Sequence, residues 1–218
     1  MTTSNPQLVG WTALVGGVVG VVSFVSLMLL FVVGEPFGTL NDILSIPIAL
    51  LLTPLIVALY RLHAAEHAAL SAFAMLAGLA GFFATAVGCA LLVLGRISFE
   101  QSLLPGIGGF GLIGVWLLIN AALGLSAGTL PRGAAWSGLL LAIAPTLALM
   151  AVLRAGNVAS VLTSLGGQST GATVVSPVFY AFAILAAISY AGLPFWFILV
   201  GRIILSGRWT VATAAGAV

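Results

Sequence analysis

Six stretches of this chain, at about residues 9–33, 43–60, 69–95, 108–128, 135–153 and 178–205, are almost free of charged side chains. A helix needs roughly 20 apolar residues to cross about 30 Å of hydrocarbon, and these runs come close to that length or exceed it. The second and fifth are short, and the third and sixth are long enough to tilt. Lipid offers the backbone no hydrogen-bond partners, so runs of this length should be helices rather than open sheets. The expected fold is all-α: a polytopic bundle of six transmembrane helices, one domain over 1–218, with no soluble domain.

Charge supports this. Only 5% of the 218 residues are charged and 62% are hydrophobic, whereas a soluble domain covers itself with about 25% charged residues. Most of the surface must face lipid. The net charge of +2 comes from six arginines and no lysine, which is no nucleic-acid footprint. The missing lysine also excludes a Schiff base and a P-loop. A lone cysteine, Cys89, excludes an internal disulfide and a C-x-x-C redox pair. No cofactor is called for.

Turn chemistry marks the boundaries. Gly34 can cap the first helix and Pro36 blocks its continuation. Thr39 and Asp42 stand three apart, as in a capping box for the second. Ser176-Pro177 reads as an N-cap with proline at the first helical position of the sixth. Pro131 and Gly133 read as a tight turn, and Pro47, Pro54, Pro145 and Pro194 as kinks. Residues 155–175 form the longest connection, in which VASVLTSL is expected as a short interfacial helix.

With a cytoplasmic N-terminus, Arg61, Arg132, Arg202 and Arg208 lie inside and Arg96 and Arg154 outside. Trp11, Tyr60, Trp136 and Trp209 then form an inner aromatic belt. Both termini are expected in the cytoplasm, and the protein in a bacterial plasma membrane. Small residues recur at four-residue spacing: Gly16 and Gly20, Ala74 and Gly78, Ala77 and Gly81, Gly124 and Gly128. Such stripes serve packing within the bundle, or association into a homo-oligomer or larger membrane complex. The two halves share proline-bearing middle helices, a faint trace of an inverted repeat.

The segment GEPFGTLND after the first run carries P-F-G-x-x-N-D. It is similar to a pattern in uncharacterised small bacterial multi-pass membrane proteins. The likeness covers about 50 residues over the first two helices. It implies a bacterial membrane protein and carries over no functional residue.

Candidate chemistry is sparse. Glu35, Asp42, Arg96 and Glu100 fall at or beyond the outer ends of the runs, and packing could gather them into an outer polar cluster. Asn120, the one strongly polar side chain near a helix midpoint, is expected to make an interhelical hydrogen bond. His63, Glu66 and His67 spell H-x-x-E-H, a spacing similar to that of the inverzincin metalloproteases. No third ligand follows on that side of the membrane, and a catalytic zinc needs three. The chain must also reverse somewhere within 61–71, without glycine or proline to do it. If the reversal falls within 63–67 the two histidines diverge; if the helix runs past His67 they share a face.

Three functions follow in order: a non-enzymatic membrane subunit or scaffold, a channel or carrier for a small neutral or lipid-like solute, and a metal-dependent membrane enzyme using His63, Glu66 and His67. An enzyme is the least favoured.

Overall fold

The structure is a computed structural model and describes residues 5–155 and 177–207. The described residues form helices and turns, without a strand. In chain order the helices are α1 (Pro6–Val32), α2 (Phe37–Val93), α3 (Phe99–Ser126), α4 (Arg132–Ala155) and α5 (Pro177–Leu205). All five are long and apolar enough to cross a membrane. Their outward faces are apolar at helical spacing, as with Val15, Val18, Val22 and Val25 on α1 and Leu140, Ile143, Leu147 and Met150 on α4. This is the surface of a membrane-embedded protein. The expected interfacial helix in 155–175 and the belt residue Trp209 lie outside the described residues.

Local chemistry sets the ends. Asn5 caps α1, its Oδ1 accepting from the Gln7 N–H at 3.0 Å, with Pro6 at the first position. Gly34 closes α1 at φ 92°, its N–H reaching Leu30 O at 3.0 Å. Three expectations need correction. The second helix begins at Phe37, so Asp42 lies inside it and makes no cap; Glu35 does that work, accepting from Thr39 N and Oγ1 at 3.2 and 3.1 Å. The helix of the fourth run starts at Phe99 rather than 108, because Ser98 and Gln101 form a reciprocal capping box ahead of it. The turn before α4 rests on Gly128 at φ 66°, and Gly133 is already helical.

The 57 residues of α2 are about twice those of its neighbours, and one of them leaves helical geometry: His67, at φ −133° and ψ 51°. Pro47 and Pro54 sit inside the helix, yet the break falls on a histidine. Its two arms, residues 37–66 and 68–93, lie side by side. The Cys89 thiol of the second reaches the Asp42 and Ser45 side chains of the first, and Ser45, Ile48, Phe82 and Thr85 line one cavity. His67 is thus a hairpin turn.

Each helix packs on the next, and α5 returns to α1, closing a ring. Glycines set the spacing. A Cβ on Gly81 would stand 2.6 Å from Gly109 O, and one on Gly109 would meet Gly81 O at 2.7 Å. Proline rings seat on glycines of the facing helix: Pro194 against Gly20, Pro105 against Gly88, Pro145 against Gly114, while Gly17 faces the Pro194 carbonyl. Gly16 meets Leu52, and Gly78 lies under the Trp116 indole. The small-residue stripes are covered by the chain's own helices. The exception is Gly128, which is exposed and ends α3.

Candidate functional site: a cavity on the axis of the ring

The interior of the ring is not uniformly filled. A cavity of about 80 Å³ lies between α1, both arms of α2, α3 and α5, lined by Gly16, Gly20, Ser23, Ser45, Ile48, Phe82, Thr85, Phe110, Ile113, Tyr190, Leu193, Pro194 and Phe197. A water needs roughly 10–15 Å³ of such volume, so there is room for a few small heavy atoms. Most of the lining is hydrocarbon, with four hydroxyls among it.

Three of those hydroxyls are organised by Asn41. Its Oδ1 accepts from Ser23 Oγ of α1 at 2.8 Å and from Tyr190 OH of α5 at 3.0 Å. Ser45 Oγ donates to Asn41 O at 3.1 Å, and Thr85 Oγ1 to Gly81 O at 3.0 Å. All four hydroxyl protons are therefore committed within the protein. A hydroxyl oxygen keeps acceptor lone pairs after donating, so the polar lining offers acceptors. Phe24 and Phe110 pack on the Tyr190 ring, with centroids 6.2 and 5.6 Å away, and hold it in place.

Toward the His67 end of the interior lies an aromatic layer. Phe82, Trp116, Trp196 and Phe197 meet with centroids 5.7 to 6.2 Å apart, and the Trp116–Trp196 pair is edge-on at 86°. Trp196 Nε1 donates to Ala134 O at 2.8 Å, which ties α5 to the start of α4. Phe82 and Phe197 belong to both cavity and layer.

The residues singled out from sequence divide sharply. Of the outer four, only Asp42 turns inward; it is half-buried beside Asn41 and Cys89. Glu35 is exposed and spent on the α2 cap. Arg96 follows the Gly95 turn and Glu100 sits in the first turn of α3, both exposed. They do not form one pocket. Asn120 is buried but makes no interhelical bond among the described residues: its Nδ2 donates to Trp116 O of its own helix at 2.7 Å, and its Oδ1 has no partner there.

The H-x-x-E-H segment is split by the hairpin. His63 is 3% exposed and faces the interior, whereas Glu66 and His67 are exposed. The reversal on His67 removes the helical i, i+4 relation that two-histidine ligation requires. Among the described residues, no group of three His, Cys, Asp or Glu side chains could hold a metal ion.

Sequence reasoning missed Ser23, Asn41, Thr85 and Tyr190. Asn41 stood beside Asp42 in a segment read as a loop, which hid it. Ser23 and Tyr190 are 18 and 149 residues from Asn41 in sequence, and nothing local announces their meeting. No protein-family model, curated protein or solved structure matches this chain.

Proposed function

We propose that this chain is a multi-pass protein of a bacterial plasma membrane that crosses six times and binds one small neutral solute on its axis. The solute would have an apolar body and one hydrogen-bond donor, as a short alcohol has. The protein would act as a carrier or as a solute-binding membrane subunit. The carrying observation is the hydroxyl lining: three hydroxyls bonded to Asn41 and Thr85 bonded to Gly81 O, with all four protons committed and the oxygens left to accept. Asp42 stands behind that lining rather than on it, so a neutral donor fits better than a cation.

Six crossings are supported by length. A straight helix of 57 residues would extend about 85 Å at 1.5 Å per residue, nearly three times the hydrocarbon thickness. Two antiparallel arms each match it. The cytoplasmic placement of the His67 end rests on the arginine bias and on Trp11 and Trp136, both exposed near that end. A cysteine at exposed Glu66, in a Cys89→Ser background, should react with an impermeant maleimide only after cells are opened. One at Arg96 should react in intact cells, and the reverse pattern would invert the topology.

Binding is tested by thermal unfolding in detergent with short alcohols against ethers of equal size. Ligand that binds only the folded state stabilises it by RT ln(1 + [L]/Kd). An alcohol should raise the midpoint where its ether does not, and Thr85→Val should weaken the effect. No difference across the series would sink the reading. The scaffold reading draws support from the aromatic layer, which packs four rings together in the interior of the bundle.

A further inference from the structure

Between the aromatic layer and the His67 turn, the interior of the ring holds polar atoms that have no use for a purely apolar core. Of the six side-chain atoms buried without a hydrogen-bond partner among the described residues, four belong here: His63 Nε2, Ser71 Oγ, Trp116 Nε1 and Asn120 Oδ1. The residues are 3%, 1%, 0% and 1% exposed. Buried polar groups in folded proteins are nearly always paired, with protein or with ordered water, and leaving one unpaired costs about 1–3 kcal/mol. Four in one region point to something that binds them.

Helix register brings them together. His63 and Ser71 each stand four residues from the reversal at His67, on opposite arms, and so lie at one depth. The second arm and α3 run antiparallel, with Gly88 on Pro105, Gly81 on Ile113 and Gly78 on Trp116. One turn further, the same register sets Asn120 opposite Ala74, with Ser71 a turn beyond. Trp116 Nε1, 3.2 Å from the position of a Cβ on Gly78, lies at the top of this group.

We propose that His63, Ser71 and Asn120, with Trp116 above them, form an internal binding site for a small neutral molecule that both donates and accepts hydrogen bonds. Asn120 Oδ1 can only accept and Trp116 Nε1 can only donate, while the serine and histidine can do either. A cation would oppose the indole N–H and an anion the amide oxygen. The walls are closely packed: Leu59, Ala74 and Leu117 are at most 1% exposed. The occupant is therefore water or a molecule of its size, held by the several polar partners that buried water needs. The ring axis then carries two polar stations with the aromatic layer between them. This site rests on the unpartnered atoms and not on occupancy of the larger cavity.

Hydroxyl-radical labelling of the full chain in detergent, read by mass spectrometry, tests it, because buried side chains react where water is held beside them. Trp196 is the internal control, being 2% exposed with its N–H already bonded to Ala134 O. Trp116 and His63 should be oxidised several-fold faster than Trp196. Asn120→Leu should remove most of that excess and leave Trp196 unchanged; if that variant does not fold, Ser71→Ala makes the same test. Labelling of Trp116 and His63 no faster than Trp196 would overturn the proposal. So would an excess untouched by the substitution, which would mean bulk solvent reached these residues. Failure of the alcohol series leaves this result unaffected, so the two readings fail separately.

Discussion

Replacing Gly81 by alanine adds one methyl group where α2 and α3 meet backbone to backbone. The new Cβ would stand 2.6 Å from Gly109 O and 2.8 Å from Ile113 N, where ordinary contact begins near 3.4 Å. Both neighbours are backbone atoms of α3, so no rotamer change relieves the clash and the helices must part. Parting by about 0.8 Å forfeits a quarter to a half of the dispersion energy of each contact it opens, and overpacking of this kind costs about 1–3 kcal/mol. Alanine recovers about 1 kcal/mol through its better helix propensity. The net expectation is a loss of up to about 2 kcal/mol, or up to about 8 °C in the unfolding midpoint for a chain of this size. Gly108→Ala is the matched control: it lies in α3 with nothing within 4 Å of its Cβ position, so only the propensity gain applies and its midpoint should rise. Melts in one detergent, followed by circular dichroism, decide it. If Gly81→Ala is as stable as Gly108→Ala, glycine spacing does not set the α2–α3 distance.

Other expectations are simpler to test. Asn41→Leu strands the Ser23 and Tyr190 hydroxyls and should lower stability by about 2 kcal/mol, while Asn41→Asp keeps the acceptor and should lose less; equal melts would remove Asn41 as the organising residue. Ser98→Ala loses the α3 capping box and should cost about 0.5–2 kcal/mol, measurable in the same melts; an unchanged midpoint would show that the cap adds nothing. Because His63 and His67 face different ways, purified protein should carry no stoichiometric zinc, and a chelator should leave its midpoint unchanged. One zinc per chain by elemental analysis would refute the hairpin geometry at His67.

The two candidate polar sites were legible in sequence to very different degrees. Asp42 and Asn120 stand out as polar residues in or beside apolar runs, and both prove inward-facing. Their partners do not stand out, because Ser23, Ser71 and Tyr190 are unremarkable in transmembrane helices until another helix meets them. His63 drew notice for a metal motif, and the structure gives it a different setting: it is the buried half of a pair whose other half is a turn.

What the sequence determined alone is what lipid enforces locally. A long apolar run must satisfy its own backbone, so the helices and most of their caps, from Asn5 and Pro6 to Gly34, follow from nearby residues. The start of α3 belongs here too, since S-F-E-Q is a capping box in plain view. Tertiary structure decided the rest. The reversal between the arms of α2 fell on a histidine, because pairing of Asp42 and Ser45 with Cys89 and contact along the arms fix where the chain must turn, whatever residue stands there. The ring closes because α5 seats Pro194 on the glycines of α1, a meeting of residues more than 170 apart. Local sequence sets which segments are helices; the facing surface sets how they pair and where polar atoms are left to bind something.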